Sequence, residues 1–397
     1  MAGPLDGIVV LDVTHVLAGP FAAATLADLG ARVVKIEQPI VGDRARASGP
    51  FIDGESSYFM SINRGKLGAT IDLSMPEGRD AFLRLVDSAD VVLENLSPGA
   101  MRRLGLDYPV LSQHNPRLVY AAISGFGQDG PYAHKRALDV VVQGMGGVMS
   151  ITGEPGGPPL RPGVSQGDIT AGLYSVIGIL AALQERERSG LGQMVDIAML
   201  DCQVAILENA LGRYFATGEV PQPLGTRHPV IAPFQAFRTA DGYVTIALAD
   251  GRQDMWPLFC SAIDRIDLID DPRYEDGWVR SRQWDVLEPI IAEAIAKRTT
   301  AEWIEELEAL GIPCGPINTI DQVAHDPQVL HRGMITDVPH PRLGSVRMTN
   351  TPVGLSRTPG GAEQPAPDLG EHTEQVLREL AGMSDEEIAA LRESGAI

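Results

Sequence analysis

The chain has few cysteines and few basic residues for its length, and both shortages restrict its function. Its 397 residues include only three cysteines, Cys202, Cys260 and Cys314, which are far apart and form no CxxC pair. This spacing is typical of reduced core thiols in a cytosolic protein and argues against metal ligation by cysteine. Lys and Arg number 32 against 52 Asp and Glu, a net charge of −20. That excess argues against nucleic acids and anionic membranes as general partners.

Several motifs of common enzyme classes are also missing. The chain has no GxSxG elbow, no Walker loop and no HExxH, which disfavours a serine hydrolase and a P-loop NTPase and predicts no metal site. The N-terminal residues lack a basic region followed by an apolar core, so we expect no signal peptide. The apolar run at residues 171–183 is too short to span a bilayer. We therefore expect a cytoplasmic protein without a membrane partner.

What the chain does contain is an alternation of short apolar strands and helices. Hydrophobic residues make up 44% of it, and the mean hydropathy is close to zero, as in a globular protein with a sizeable core. Residues 8–13 read as a strand, 19–29 as a helix and 32–37 as a second strand, which is a βαβ unit. The first turn carries one glycine instead of GxGxxG, so NAD binding is disfavoured. Ser74 and Glu77 read as a capping box at the start of a further helix. The pattern predicts an α/β doubly wound domain.

The composition changes near residue 215, where a segment rich in Pro and Gly begins. Beyond it a strand and a capped amphipathic helix predict a second, smaller α/β domain. We expect a large domain at 1–215, a linker at 216–233, a small domain at 234–325, a return linker at 326–368 and a C-terminal segment at 369–397.

One carboxylate has an unusual setting. Asp168 follows Gly167 at the predicted start of a helix that has almost no polar residues. An apolar helix of that length is normally buried, and a carboxylate at a core edge must be paired, hydrogen-bonded or functional. Asp is also a favoured N-cap residue. Plain helix capping and a catalytic role both remain open from this pattern.

Polar segments occur where strands are predicted to end, which is the ligand-binding edge of a parallel sheet. Their Arg and Lys residues suit phosphate groups, Arg through bidentate hydrogen bonds, although solvated surface charges would look the same. His15 fits either a hydrogen-bonded core histidine or a base, and Asn95 either a turn residue or a ligand contact. The segments are residues 15–20, 63–66, 94–103 and 135–139.

Six segments, in order along the chain, carry a resemblance to a known family. They are residues 4–20, 29–37, 63–66, 92–100, 124–131 and 167–172. They resemble the class III CoA-transferases, the family that also contains formyl-CoA transferase, carnitine CoA-transferase and alpha-methylacyl-CoA racemase. The resemblance implies a Rossmann-like parallel-sheet domain that the C-terminal segment completes, a smaller α/β domain, and an interlocked homodimer. Coenzyme A would be part of a substrate, with no permanently bound cofactor.

The resemblance also implies site residues. Asp168 matches the catalytic aspartate, and Leu17 and Ala18 would lie near the CoA thiol. Residues 249–253 match a mobile glycine-rich loop of formyl-CoA transferase, but here they contain one glycine. The positions expected to contact coenzyme A are His15, Leu17, Ala18, Ile71, Asp72, Leu73, Ser74, Asn95, Leu96, Ser97, Arg103, Arg136, Ala137, Leu138 and Asp139.

Departures from the family pattern narrow the chemistry. Formyl-CoA transferase has glutamine where this chain has Leu17 and tyrosine where it has Leu138, which disfavours formate and oxalate here. A basic CoA contact of that enzyme is replaced by Gln38. The racemases carry a proton-transfer histidine at the position of Leu138, and a two-base racemase needs groups on both faces of the α-carbon. Racemisation is therefore disfavoured.

The sequence thus predicts a CoA-transferase in which Asp168 attacks an acyl-CoA through anhydride and aspartyl-CoA intermediates. Helix-start N–H groups would keep Asp168 ionised, and Gly167 would let the substrate approach closely. Arg227 and Arg252 are candidate carboxylate contacts, which favours a dicarboxylate donor such as succinyl-CoA. The alternatives are an acyl-CoA racemase or isomerase acting at the α-carbon, and a non-catalytic CoA-binding protein.

Overall fold

The computed structural model describes residues 3–248 and 255–397. Within these ranges the chain forms two compact units. Unit 1 comprises the described residues of 1–149, 161–219 and 327–397, and unit 2 those of 150–160 and 220–326.

The strands and α-helices follow one another closely. In chain order the strands are β1 (Val9–Asp12), β2 (Arg32–Glu37), β3 (Phe51–Ile52), β4 (Glu55–Ser56), β5 (Leu67–Thr70), β6 (Val91–Glu94), β7 (Val119–Ser124), β8 (Met194–Ala198), β9 (Phe234–Arg238), β10 (Tyr243–Ala247), β11 (Cys314–Pro316), β12 (Ile335–His340) and β13 (Gly344–Thr349). The helices are α1 (Ala18–Asp28), α2 (Ser57–Asn63), α3 (Pro76–Val86), α4 (Ala100–Leu104), α5 (Tyr108–His114), α6 (Asp139–Met145), α7 (Gln166–Ser189), α8 (Met199–Ala205), α9 (Asn209–Thr217), α10 (Met255–Ala262), α11 (Gly277–Arg282), α12 (Trp284–Ile295), α13 (Thr300–Ala309), α14 (Ile320–His325), α15 (Pro327–His331), α16 (Thr373–Leu380) and α17 (Asp385–Ser394).

Unit 1 is built on a six-stranded parallel sheet in the order β5-β2-β1-β6-β7-β8. This is the doubly wound order, in which the direction of winding reverses between β1 and β6. In such sheets ligands bind in the crevice beyond the carboxyl ends of the two strands at the reversal. The predicted α/β class and Rossmann-like sheet are therefore confirmed.

Both faces of this sheet are covered, which explains the nearly continuous apolar strands. Leu11 and Val92 point to one face and pack with helix α3 and with the C-terminal helices α16 and α17. Val10 and Leu93 point to the other face and pack with α1 and α7. Successive strand residues alternate between the two cores because the side-chain period of a strand is two.

Helix α7 is longer than the apolar run from which it was predicted. It has 24 residues and contains an 18-residue window of mean hydropathy 1.3, so by length and composition it could cross a membrane. The share of that window buried in the protein is 44%. A core helix meets the same criterion, and one face of α7 packs on α1 and the sheet.

Unit 2 has its own core. Its antiparallel sheet has the order β11-β10-β9, and Trp256, Trp284 and Trp303 are buried against it. The capping box predicted for its amphipathic helix is confirmed, because Thr299 and Glu302 bond each other's backbone N–H groups at the start of α13.

Two segments differ from the sequence pattern. A capping box from Ser74 to Glu77 was expected, but α3 begins at Pro76 with Met75 as its N-cap. The Ser74 hydroxyl instead donates to Asp72, at 2.6 Å. Within residues 326–368, where a return linker was expected, β12 and β13 pair as an antiparallel hairpin.

Candidate active site

Asp168 is the third residue of α7, and Ser165 is the N-cap residue. The carboxylate therefore does not cap its own helix. Within the described ranges no hydrogen bond or ion pair engages it, although it is only half-exposed. It lies in the first helical turn, where the helix dipole favours negative charge. Of the two roles left open by the sequence, capping is excluded by this position.

Burial sets the protonation of Asp168. The pKa of its carboxyl is raised to about 6, first by burial and then by the negative charge of Asp139, while Arg161 opposes the rise. Burial thus works against the ionised form that the start of the helix was expected to favour. At neutral pH the carboxylate still predominates, and it is poorly solvated, as a nucleophile should be.

Asp139, the first residue of α6, holds the start of α7. Its carboxylate accepts a hydrogen bond from the backbone N–H of Gly167 at 2.8 Å. It also accepts two from Arg161, at 2.7 and 3.0 Å, and one from Gln143 at 2.8 Å. These bonds engage both of its oxygens, and its expected contact with coenzyme A stays a prediction. Its observed role is to cap the helix that carries Asp168.

Two glycines of α7 mark close helix contacts. A Cβ atom on Gly167 would lie 2.7 Å from Val142, so the glycine makes room for α6. A Cβ atom on Gly172 would lie 2.9 Å from the carbonyl oxygen of Ala18 and from the Phe21 ring. The first turn of α1 therefore lies directly against α7, one turn beyond Asp168.

The turn between β1 and α1 lies at the reversal point of the sheet and meets the end of β6. The Asn95 side chain accepts from the His15 N–H and donates to the His15 carbonyl oxygen, both at 2.8 Å. The Val16 N–H donates to Asp43 at 3.1 Å. Burial lowers the pKa of His15, against the opposing charge of Asp43, so its imidazole is neutral at pH 7. The structure thus brings together His15, Leu17, Ala18 and Asn95.

Tyr58 is a further candidate residue, which the sequence did not reveal. Burial raises the pKa of its hydroxyl, and the charges of Asp168 and then Asp43 raise it further. The charges of both carboxylates therefore act on the phenol, which stays protonated and can donate a hydrogen bond. It comes from α2, 110 residues before Asp168, and no local motif marks it.

The remaining positions predicted to contact coenzyme A differ in their surroundings. Some are buried or hydrogen-bonded within the protein, and others are accessible to solvent. Ile71 is 1% exposed and belongs to the hydrophobic core, and Asp72 accepts from the Ser74 N–H and hydroxyl. The Leu96 N–H donates to Glu94 at 2.7 Å. Half-buried or exposed positions are Leu73, Ser97, Arg103, Arg136, Ala137 and Leu138. Arg103 and Arg136 form no ion pair within the described ranges, so their guanidinium groups are free to meet phosphate there.

Residues 63–66 do not present basic groups to a ligand. Lys66 is fully buried and donates to Asp12 at 2.8 Å, to Asn63 at 2.8 Å and to the Pro20 carbonyl oxygen at 3.0 Å. Arg64 pairs with Asp28. The expectation that this segment contacts phosphate is wrong, because its charged groups form ion pairs inside unit 1.

The remaining candidates from the sequence are metal ligands, the cysteines, Arg227 and residues 249–253. Among the residues that the structure describes, no cluster of three His, Cys, Asp or Glu could hold a metal, and Cys202, Cys260 and Cys314 form no disulfide. Arg227 is half-buried in unit 2. Residues 249–253, with Arg252, lie outside the described ranges.

Comparisons with known proteins agree with this geometry. The model of CoA-transferase family III matches residues 5–373. A succinate–glutarate CoA-transferase from Agrobacterium fabrum is 42% identical over 95% of this chain and 96% of its own length. An acetyl-CoA:oxalate CoA-transferase from Acetobacter aceti is 40% identical over 96% of each chain. The crystal structure of a CaiB/BaiF family protein from Brucella suis superposes with a TM-score of 0.85 at 39% identity, covering 96% of this chain and all of that one. The chain therefore belongs to CoA-transferase family III and is an enzyme of that class.

Proposed function

We propose that this enzyme transfers CoA between carboxylic acids with Asp168 as the nucleophile. The observation that carries the proposal is the contrast between two neighbouring carboxylates. Asp139 is saturated by donors, whereas Asp168, in the first turn of α7, has no partner among the described residues. A carboxylate that is held in place but unpaired is suited to attack a thioester carbonyl.

The proposed reaction proceeds in four balanced steps. Asp168 attacks the acyl-CoA carbonyl carbon, the C–S bond breaks, and a mixed anhydride and CoA thiolate form. The thiolate attacks the aspartyl carbonyl, which releases the donor acid and leaves an aspartyl-CoA thioester. The acceptor carboxylate attacks that thioester and regenerates thiolate with a new anhydride. Thiolate attack on the acyl carbonyl then yields the product and free Asp168. No net proton transfer occurs, so a neutral His15 and a protonated Tyr58 suit the chemistry.

The proposed donor is succinyl-CoA and the proposed acceptor is a dicarboxylate longer than oxalate. Two relatives described above are named for dicarboxylates, glutarate and oxalate. Leu17 and Leu138 favour the longer acid because they offer apolar surface where formyl-CoA transferase has polar groups.

We further propose that the enzyme works in the cytoplasm as an interlocked homodimer. Apolar side chains of unit 1 on α6, α7 and α9 remain exposed, and a second copy would cover them. They include Val140, Met145, Leu173, Ile177 and Phe215. Light scattering on the purified protein tests this: a mass of one chain would contradict it.

The test of function combines an activity screen with a matched pair of variants. The protein is incubated with succinyl-CoA or acetyl-CoA and a panel of acids, and new CoA esters are identified by mass spectrometry. Asp168→Asn should abolish transfer with folding retained. Asp201→Asn is the control, because Asp201 is also the third residue of a helix, α8, and is exposed. Transfer by Asp168→Asn would refute the proposal, and deuterium wash-in at the α-carbon without an acceptor acid would indicate a racemase instead.

A trapping experiment tests the intermediate directly. Hydroxylamine added during turnover should release CoA and leave a hydroxamate on the peptide that contains Asp168. Modification of any other carboxylate, with none on Asp168, would contradict the proposed nucleophile.

A further inference from the structure

The turn that joins β1 to α1 has a strained backbone. Val16 has a φ of +69°, in the left-handed region that β-branched residues rarely adopt. Such a conformation persists only where the surroundings impose it, and it is concentrated at functional sites. The strain is located where β1 meets the reversal point of the sheet, immediately before Leu17 and Ala18.

Side chains from three different places impose this conformation. Asn95, just after β6, bonds both the N–H and the carbonyl oxygen of His15. Asp43, after β2, accepts from the Val16 N–H at 3.1 and 3.3 Å. Lys35, on β2, donates to the Thr14 carbonyl oxygen at 2.9 Å. Three consecutive residues of the turn are therefore held by side chains, with no regular backbone ladder involved.

Asn95, Asp43 and Lys35 together form a clamp on this turn, and two of them, Lys35 and Asp43, are themselves held in place. Lys35 and Asp43 form an ion pair of 2.9 Å with both side chains fully buried. The Asp43 N–H donates to Glu37 at 2.8 Å, and Glu37 in turn pairs with Arg46. Buried charges that are fully paired have few alternative arrangements, so Asp43 presents its oxygens to Val16 in one orientation.

We propose that Asn95, Asp43 and Lys35 are positioning residues for catalysis. They fix residues 14–17 so that the start of α1 is set against α7 and the thioester meets Asp168 in reactive geometry. The inference rests on the proposed function. It assigns Asn95, expected from the resemblance to contact coenzyme A, the separate task of holding the His15 backbone. The turn is connected to the helix that carries Asp168, because the Ala18 carbonyl oxygen lies against Gly172 of α7, one turn beyond Asp168.

Kinetic variants test this assignment. Asn95→Ala removes two neutral hydrogen bonds from a half-buried side chain and should fold. We expect its kcat to fall about 10- to 100-fold with a KM for acyl-CoA within about threefold of the parent enzyme, the pattern of lost orientation. Asp43→Asn keeps an acceptor for Val16 but leaves Lys35 unpaired, and its kcat should fall as well.

The control is a buried ion pair at the far end of α1. Asp28 is the last residue of that helix and pairs with Arg64, so Asp28→Asn should lower the melting temperature without lowering kcat at a temperature where the protein is folded. If Asn95→Ala retains the parent kcat, or if Asp28→Asn loses as much, the positioning role is refuted.

Hydrogen exchange separates the failure of this inference from that of the proposed function. The peptide covering residues 13–19 should exchange faster in Asn95→Ala and Asp43→Asn than in the parent, and unchanged exchange would refute the clamp whatever the activity. A parent enzyme that transfers CoA to no acid refutes the proposed function and the catalytic part of this inference. Even then, hydrogen exchange of residues 13–19 shows whether Asn95 and Asp43 hold the turn in place.

Discussion

The carboxylate of Asp139 accepts a 2.8 Å hydrogen bond from the backbone N–H of Gly167, the residue directly before Asp168. Two carboxylates thus lie side by side in different environments. One is bonded to an arginine, an amide and a helix N-terminus, and the other has no partner within the described ranges. Environments that separate two carboxylates in this way commonly assign them separate roles. Here one positions the helix and the other is free to react.

The pH dependence of transfer should report the Asp168 carboxyl. Because burial raises its pKa to about 6 and only the carboxylate is nucleophilic, kcat/KM should be level above that pH. Below it, kcat/KM should fall about tenfold per pH unit. Rates measured with two acceptor acids of different pKa separate the enzyme's group from the substrate's. If the pH at which kcat/KM begins to fall changes with the pKa of the acceptor acid, the assignment to Asp168 is contradicted.

Substitutions of two neighbours of Asp168 should shift the acid side of this pH profile, where kcat/KM falls, in opposite directions. Asp139→Asn removes a negative charge and should move the acid limb to lower pH. Arg161→Gln removes a positive charge and should move it to higher pH. The profiles of both variants are compared with that of Arg188→Gln, which changes an exposed arginine at the other end of α7. Shifts of the same sign in the two test variants would argue against this electrostatic account.

Tyr58→Phe should lower kcat with little loss of stability, because the half-buried ring stays in place and only a donor near Asp168 is lost. Loss of one donor to a developing oxyanion costs about 100-fold or more in comparable sites. Spectroscopic titration offers an independent check. In Asp168→Asn the pKa of Tyr58 should fall, since the charge of Asp168 helps to raise it. An unchanged phenol titration would place Tyr58 away from the carboxylate.

Lys66→Met should destabilise the fold without weakening CoA binding by the folded protein. It leaves the fully buried Asp12 without its partner, and breaking a buried pair in this way costs about 3–5 kcal/mol. Chemical denaturation and calorimetric CoA binding measure the two effects. The double variant Asp12→Asn with Lys66→Met should recover part of the loss. Weakened binding in a fully stable Lys66→Met protein would restore the phosphate-contact hypothesis.

Glu94 should make stability fall as the pH rises. Burial raises the pKa of its carboxyl from 4.5 to about 7, against hydrogen bonds from Leu96 and Tyr120. The folded state therefore holds this proton more tightly than the unfolded state between those two values. Across that window the group's contribution to the free energy of unfolding should decrease by about 3 kcal/mol, and above pH 7 it should stay constant.

Glu94→Gln should remove that contribution, so its stability at pH 8 should exceed that of the parent. Glu77→Gln, at an exposed glutamate of α3, is the matched control and should leave the slope unchanged. Equal pH slopes for Glu94→Gln and the parent would show that Glu94 titrates normally.

The sequence predicted the class of fold well because its signals are local. Apolar runs bounded by glycine turns predicted β1, α1 and β2 to within one residue at each end. The box from Thr299 to Glu302 predicted the start of α13 because both partners lie within four residues of each other. The box from Ser74 failed because Asp72, two residues before it, competes for the same hydroxyl.

The sequence by itself determined the alternation of strands and helices, the family and the identity of Asp168 as the carboxylate to examine. It could not decide how charged residues are paired, because pairing joins positions that are far apart along the chain. Lys66 looked like a surface base and is buried against Asp12. Asp139, predicted to contact coenzyme A, also caps α7. Only the tertiary structure brought Tyr58 within the electrostatic influence of Asp168 and bonded Asn95 to the His15 backbone. Those neighbours arise from strand order in the sheet and helix packing on it, which no local spacing encodes.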